Sequence, residues 1–189
     1  MVRTASTMLE LGTPAPDFTL NHPATNKLVR RDDFQGQGLL VVFSCNHCPY
    51  VLHMLESFSE FAREAATAGL AVVMINSNDV DHYPADSPPK MIELGEKYRF
   101  GFPYLYDPTQ SVASAYLAAC TPDFFLFDDE HRLVYRGQFD GSRPGNNVAI
   151  DGRDLQSAVT AILEGSVVPS EQTPSVGCSI KWKPGNEPV

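Results

Sequence analysis

Two of the four cysteines, Cys45 and Cys48, stand two residues apart in the stretch "VVFSCNHCPYV", residues 41–51. That spacing is open to three chemistries: a small structural disulfide, a thiolate clamp on a metal, or a couple that cycles between dithiol and disulfide. The thiolate is the reactive species, so the question is what surrounds each sulfur. An apolar run precedes the pair and a helical pattern follows it. Cys45 is therefore expected at or just before the first helical turn, among backbone N–H groups that have no partner within the helix. The helix dipole favours an anion there by ~0.3–1 kcal/mol, roughly a quarter to three quarters of a pKa unit. This marks Cys45 as the nucleophile and Cys48, one turn on, as the thiol that resolves the mixed disulfide. His47, when protonated, would stabilise the thiolate and make the disulfide a stronger oxidant; a solvated histidine without electronic effect is the plainer alternative.

The remaining candidates each have a simpler structural account. Cys120 directly precedes Thr121 and Pro122, and could be a further redox thiol or a buried core thiol. Cys178, in the tail, could fold back as a resolving thiol or pack beside Trp182. His53 and Glu56 could relay a proton to Cys48 if the helix turns them toward it. Asn76, Asn78 and Asp79 follow a buried strand, where ligands gather in open α/β sheets, although Asn and Asp there also form turns. Arg143 could grip a carboxylate or be solvated, and Asp128, Asp129 and Glu130 read as a polar hairpin turn. Structural zinc wants four ligands, and one cysteine pair with a histidine falls short of that. Pro49 after Cys48 excludes covalent haem attachment. Neither a metal nor a cofactor is expected, and a metal site built on Cys45, Cys48 and a histidine is the least favoured reading.

Positioning these residues requires a sheet with helices on it. "GLLVVFS" (38–44) and "GLAVVMINS" (69–77) are continuous apolar runs, typical of parallel strands buried on both faces. Between them, Val51, Leu55, Phe58 and Ala62 recur at helical spacing over 49–67. Strand, helix and strand then form a crossover unit. Further helices are expected over 90–98, 111–119 and Arg153–Glu164, the last stopped by Gly165. A hairpin is expected from 123–128 and 132–138. Residues 140–152 form a Gly/Asn/Pro loop, and the tail from Pro169, with Ile180 and Trp182, is expected to pack on the body.

The chain has 189 residues, 43% of them hydrophobic, which fits one domain, 1–189, with a substantial core. Fourteen Lys and Arg against 23 Asp and Glu give a net charge of −9, which disfavours nucleic acid and anionic membrane as partners. With no secretory leader and no membrane-length apolar run evident, the expected location is the cytoplasm. Thiols stay reduced there, which favours catalysis or metal binding over a structural staple.

Four stretches, "LGTPAPDFTL" (11–20), "FSCNHCPYV" (43–51), "CTPDFFLFD" (120–128) and "GCSIKWKPGNEP" (177–188), make the chain resemble thioredoxin-fold proteins of the peroxiredoxin-like branch. That branch includes the alkyl hydroperoxide reductases and TlpA-type proteins. The resemblance implies an α/β fold with a central mixed sheet flanked by helices, an N-terminal extension and a C-terminal tail packed on the body. It also implies that Pro122 is cis and faces the cysteine pair, and that Thr121 offers its backbone to an extended substrate peptide. Two departures stand out. Ser44 and Leu39 replace the tryptophan and the buried acid of thioredoxins, and the peroxidatic pattern Pro-x-x-x-Thr/Ser-x-x-Cys is not met at Cys45 or Cys48. The expected activity is thus a thiol–disulfide oxidoreductase, less reducing than thioredoxin, acting on protein or small-molecule disulfides with a thiol reductant. A thiol peroxidase with an antioxidant role is the alternative.

Overall fold

The structure is a computed structural model, and it describes residues 3–188. In chain order its elements are β1 (Arg3–Ala5), β2 (Thr19–His22), β3 (Lys27–Arg30), β4 (Gly38–Phe43), α1 (Pro49–Thr67), β5 (Ala71–Asn76), α2 (Pro88–Lys97), β6 (Tyr104–Tyr106), α3 (Ser111–Ala115), β7 (Cys120–Thr121), β8 (Asp123–Asp128), β9 (Leu133–Tyr135), α4 (Arg153–Leu163) and β10 (Val176–Ser179). Seven strands form a mixed sheet in the order β3-β2-β6-β5-β4-β8-β9, and β1-β10-β7 form a smaller one. This is the expected α/β architecture.

β4 is buried along its whole length because both faces are covered. Leu40 and Val42 point into one apolar cluster with Val51, Leu55 and Phe58 of α1 and Leu155 of α4. Leu39, Val41 and Phe43 point into the other, with Val112 of α3, Tyr116 and Phe125. The register then places the chemistry. β4 runs parallel to β5 and antiparallel to β8, with Phe43 opposite Asp123. The residues just after Phe43 and just before Asp123 consequently emerge at one sheet edge, and these are the cysteine pair and Thr121–Pro122.

α1 spans the expected residues, with Pro49 at its first position and Cys48 as its N-cap. α3 is shorter than expected: Leu117 turns to φ +51, and Tyr116 drops into the core with its hydroxyl on the carbonyl of Pro16 at 2.9 Å. The hairpin's second strand stops at Tyr135 because Arg136 leaves the ladder, its N–H bonding Gln172 Oε1 at 2.7 Å. The tail packs as expected, with Ile180 buried and Trp182 against the same cluster as Phe43.

The Arg136 guanidinium is fully buried, stacked 3.7 Å over the Phe125 ring and paired with the buried carboxylate of Asp123. That carboxylate also accepts from Ser6 Oγ at 2.9 Å and Ala119 N–H at 3.0 Å, so Asp123, next to Pro122, is tied on every side. Removing one partner strands the other's charge in the core. Arg136→Leu is expected to lose ~3–5 kcal/mol in urea unfolding, while Arg136→Leu combined with Asp123→Asn recovers part of it. Equal losses in the two variants would contradict this.

Candidate active site

Three sulfurs meet where α1 begins. Cys48 Sγ lies 2.9 Å from Cys178 Sγ and 3.1 Å from the carbonyl of Thr121. Cys45 Sγ contacts Thr121 Oγ1 at 3.3 Å and hydrogen-bonds Cys48. The Thr121–Pro122 peptide is cis, and both residues are buried beside the sulfurs. Cys178 arrives on β10, which pairs antiparallel with β7 in the register Cys178↔Thr121. Gly177 permits this approach, because a Cβ there would sit 1.9 Å from the carbonyl oxygen of Thr121.

The expected acidity falls on the other cysteine. Because the helix starts at Pro49, it is Cys48 that sits at its mouth. The Cys48 thiol is lowered to about 5 by the hydrogen bond from Cys45, with further help from Cys178 and the Val51 N–H, against the opposing effect of burial. When Cys48 is protonated, its hydrogen points at the Thr121 carbonyl. Burial, then Cys48 and the Asp86 charge, push Cys45 well above its ordinary value. Contrary to the expectation of an accessible sulfur, Cys45 is buried, with 1% of its residue accessible against 0% for Cys48, and its burial disfavours the thiolate.

The cover over Cys45 is the segment after β5. Asp86, itself fully buried, accepts from the Asn46 N–H at 2.7 Å and Asn78 Nδ2 at 2.8 Å, and its backbone carbonyl accepts from Asn76 Nδ2 at 2.7 Å. His47 Nδ1 is 2.8 Å from the Asp86 carboxylate, and its ring stacks on Tyr83 at 5.8 Å. Tyr104 adds a hydroxyl on Asn46 Oδ1 at 3.0 Å. Asp86 raises the His47 pKa, so this histidine's charge serves the latch before it serves any thiolate. The donor atoms of Cys45, His47 and Asp86 all lie within 4.8 Å of one another, which among the described residues is the one group spaced to hold a metal ion. The carboxylate is already engaged by three donors, however, and three donors fall short of a closed structural site.

Other sequence candidates take structural posts. Cys120 is buried, its thiol pushed up by burial and directed at the Pro122 carbonyl at 3.5 Å, outside the sulfur cluster. Glu56 is exposed, and His53 lines a small cavity with Pro122 and Arg143. Arg143, half-buried at the same cavity, donates to the carbonyls of Asp140 and Ser142, both at 2.6 Å. Asn76 and Asn78 position Asp86, and Asp79 bonds His82 at 2.5 Å. Asp128 does form the hairpin turn, accepting from Glu130 and Arg132 N–H at 3.0 and 2.7 Å. Asp86, Asn46 and Tyr104 carried no signal in the sequence beyond the Asp/Asn/Pro-rich loop that holds Asp86.

A sheet edge bearing a Cys-x-x-Cys helix start opposite a cis-proline defines a thiol-based oxidoreductase of thioredoxin fold. The chain belongs to the AhpC/TSA family, whose pattern matches residues 11–136. It is similar to an uncharacterized conserved protein from Geobacillus kaustophilus at 46% identity, covering 98% of each chain with a TM-score of 0.96. A hypothetical protein from Sinorhizobium meliloti 1021 is 49% identical over 96% of this chain and 100% of that one, TM-score 0.94. Peroxidoxin BcpB from Mycobacterium tuberculosis shares the fold at 18% identity, covering 84% of this chain and 98% of that one, TM-score 0.61. No match is found among curated proteins.

Two outcomes follow for the reduced protein. Folding lowers the Cys48 pKa from 9.0 to about 5, so the native state sheds this proton first and gains stability as pH rises between those values. The contribution is lost as pH falls through about 5. The stability advantage of wild type over Cys48→Ser, read by urea unfolding in a reducing buffer, is therefore expected to widen from pH 5 to 9; a constant gap would place the charge elsewhere. Asp86→Ala releases the cover and should raise the rate of cysteine alkylation at least about tenfold, the equivalent of ~1.5 kcal/mol for a lost charge-assisted hydrogen bond.

Proposed function

We propose that the protein is a thiol–disulfide oxidoreductase whose Cys45–Cys48 couple favours donating its disulfide to substrate thiols. A substrate thiolate attacks Cys45 Sγ, the Cys45–Cys48 bond breaks, and Cys48 leaves with the electron pair as a thiolate. A second substrate thiol, deprotonating, then attacks the substrate sulfur of the mixed disulfide, and Cys45 departs and takes up that proton. The substrate has lost two electrons and the pair has gained them. The observation that carries this reading is the place of Cys48 at the N-cap of α1, in contact with Cys178 Sγ and the Thr121 carbonyl, where its pKa is lowered. A low-pKa thiol is a good leaving group, and a stabilised thiolate favours the reduced couple.

In the reverse direction, with a thiol reductant, Cys48 is suited to resolving a mixed disulfide on Cys45. The first attack would then fall to Cys45, whose proton is held tightly, so reduction of substrate disulfides is the slower direction. Either direction requires the turn at 83–86 to lift from Cys45. His47 and Asp86 act here as positioning residues that set how often it does.

The equilibrium potential against glutathione is expected to be less negative than the roughly −270 mV of thioredoxin. The protein should oxidise a reduced, unfolded disulfide protein, and both Cys45→Ser and Cys48→Ser should abolish this. A more negative potential, with faster reduction of insulin than oxidation of the test protein, overturns the assigned direction. Rapid loss of thiols with one equivalent of hydrogen peroxide would instead favour a thiol peroxidase.

A further inference from the structure

The resemblance assigns the backbone of Thr121 to an extended substrate peptide, and in this structure a strand already lies there. It is the chain's own β10, antiparallel to β7, with Cys178 opposite Thr121. β10 is also held from its other side by β1, in the register Arg3↔Cys178 to Ala5↔Val176. Ser175, just before it, donates to the Pro122 carbonyl at 2.7 Å and accepts at its own carbonyl from Ser6 N–H at 2.9 Å. The close approach of Gly177 to the Thr121 carbonyl is the tightest of any glycine in the chain. The effect of all these contacts is to present a cysteine sulfur to the redox pair.

We propose that Cys178 is a third redox-active thiol, an internal substrate that forms a disulfide with Cys48 in competition with Cys45. The sulfurs need to close by only about 0.9 Å, from 2.9 Å to the ~2.05 Å of a bond. The exchange carries no net oxidation. Cys178 Sγ, deprotonated, attacks Cys48 Sγ in the Cys45–Cys48 disulfide; that bond breaks, the Cys48–Cys178 bond forms, and Cys45 leaves with the electron pair and takes up the proton. Cys178 stays protonated while Cys48 is a thiolate, since burial first and then Cys48 raise it to about 12. Once Cys48 is in a disulfide, its contribution is gone, and Lys181 acts to lower the Cys178 pKa. The Cys48–Cys178 state stores the oxidising equivalent in a disulfide wholly covered by the chain's own strand, leaving Cys45 a thiol.

This inference rests on the redox reading of the Cys45–Cys48 pair, and the test separates the two. Wild type, Cys45→Ser and Cys45→Ser/Cys178→Ser are oxidised with the azo compound diamide, which takes up two electrons and two protons per disulfide formed. Remaining thiols are alkylated and the linked peptides mapped by mass spectrometry. Wild type is expected to yield both Cys45–Cys48 and Cys48–Cys178 peptides. Cys45→Ser should yield Cys48–Cys178 in most molecules, and the double variant no intramolecular link at Cys48. If wild type yields only Cys45–Cys48, the inference is overturned while the redox reading stands, and Cys45→Ser is then expected to leave Cys48 and Cys178 alkylated. If wild type forms neither link, both are overturned. The wild-type map decides the matter even if a variant fails to fold.

Discussion

The position of Thr121 governs the sulfur cluster. Its carbonyl faces Cys48 at 3.1 Å, its hydroxyl faces Cys45 at 3.3 Å, and its backbone sets the register of Cys178. A displacement of this one residue would change all three relations together, so the fold has to hold it firmly. It is held from one side by the β4·β8 register, which puts Phe43 opposite Asp123, and from the other by the Asp123–Arg136 pair beneath Pro122. A buried ion pair is a poor source of stability, since desolvation offsets the attraction. Here its more evident effect is positional: Asp123 also takes Ser6 and Ala119, so one carboxylate fixes the N-terminal extension, the end of the α3 turn and the residue after the cis-proline.

Three thiols packed together in a dry site cannot all ionise, because each added charge must be desolvated beside the last. The lowest-energy arrangement is one thiolate with the other two as donors. Geometry decides which sulfur holds the charge: Cys48 is central, touching both of the others, and it alone has the Val51 N–H of the first helical turn. Cys45 lies near the Asp86 carboxylate, which repels a second charge. The asymmetry of the couple therefore follows from its neighbours rather than from the Cys-x-x-Cys spacing.

That is also why the sequence was readable to a point and no further. Continuous apolar runs identified β4 and β5, and helical spacing over 49–67 located α1 to the residue, because those signals are local. β2, β3, β6 and β10 are three or four residues long and carry no usable alternation, so their existence depends on partners distant in the chain. The balance of charge within the site was not legible for the same reason. The expected place of Cys45 is at or just before the first helical turn, but with Pro49 opening α1 it is Cys48 that caps the helix, and the lowered pKa goes with it. The latch could not be read at all, since Asp86 lies 40 residues from the Asn46 N–H it accepts from.

The tail changes what the fold can do. With β10 seated on β7, the edge beside the cis-proline is occupied, and an incoming peptide cannot pair with Thr121 in the way the resemblance suggests unless that strand leaves. The strand is held on both sides, so departure means breaking the β1 and β7 ladders together. The turn over Cys45 is attached differently, through side chains converging on Asp86 and a few backbone bonds that include Asp79 N–H to the Lys181 carbonyl at 2.8 Å. Opening this turn breaks fewer backbone bonds than stripping off a strand, so it is the lower-energy route to the pair. Cys45, grouped with His47 and Asp86 within 4.8 Å, is the sulfur that adjoins this turn. His47, Tyr83 and Asn46 are the groups gathered at this turn, through the His47–Asp86 pair, the His47–Tyr83 stack and the Asn46 N–H on Asp86.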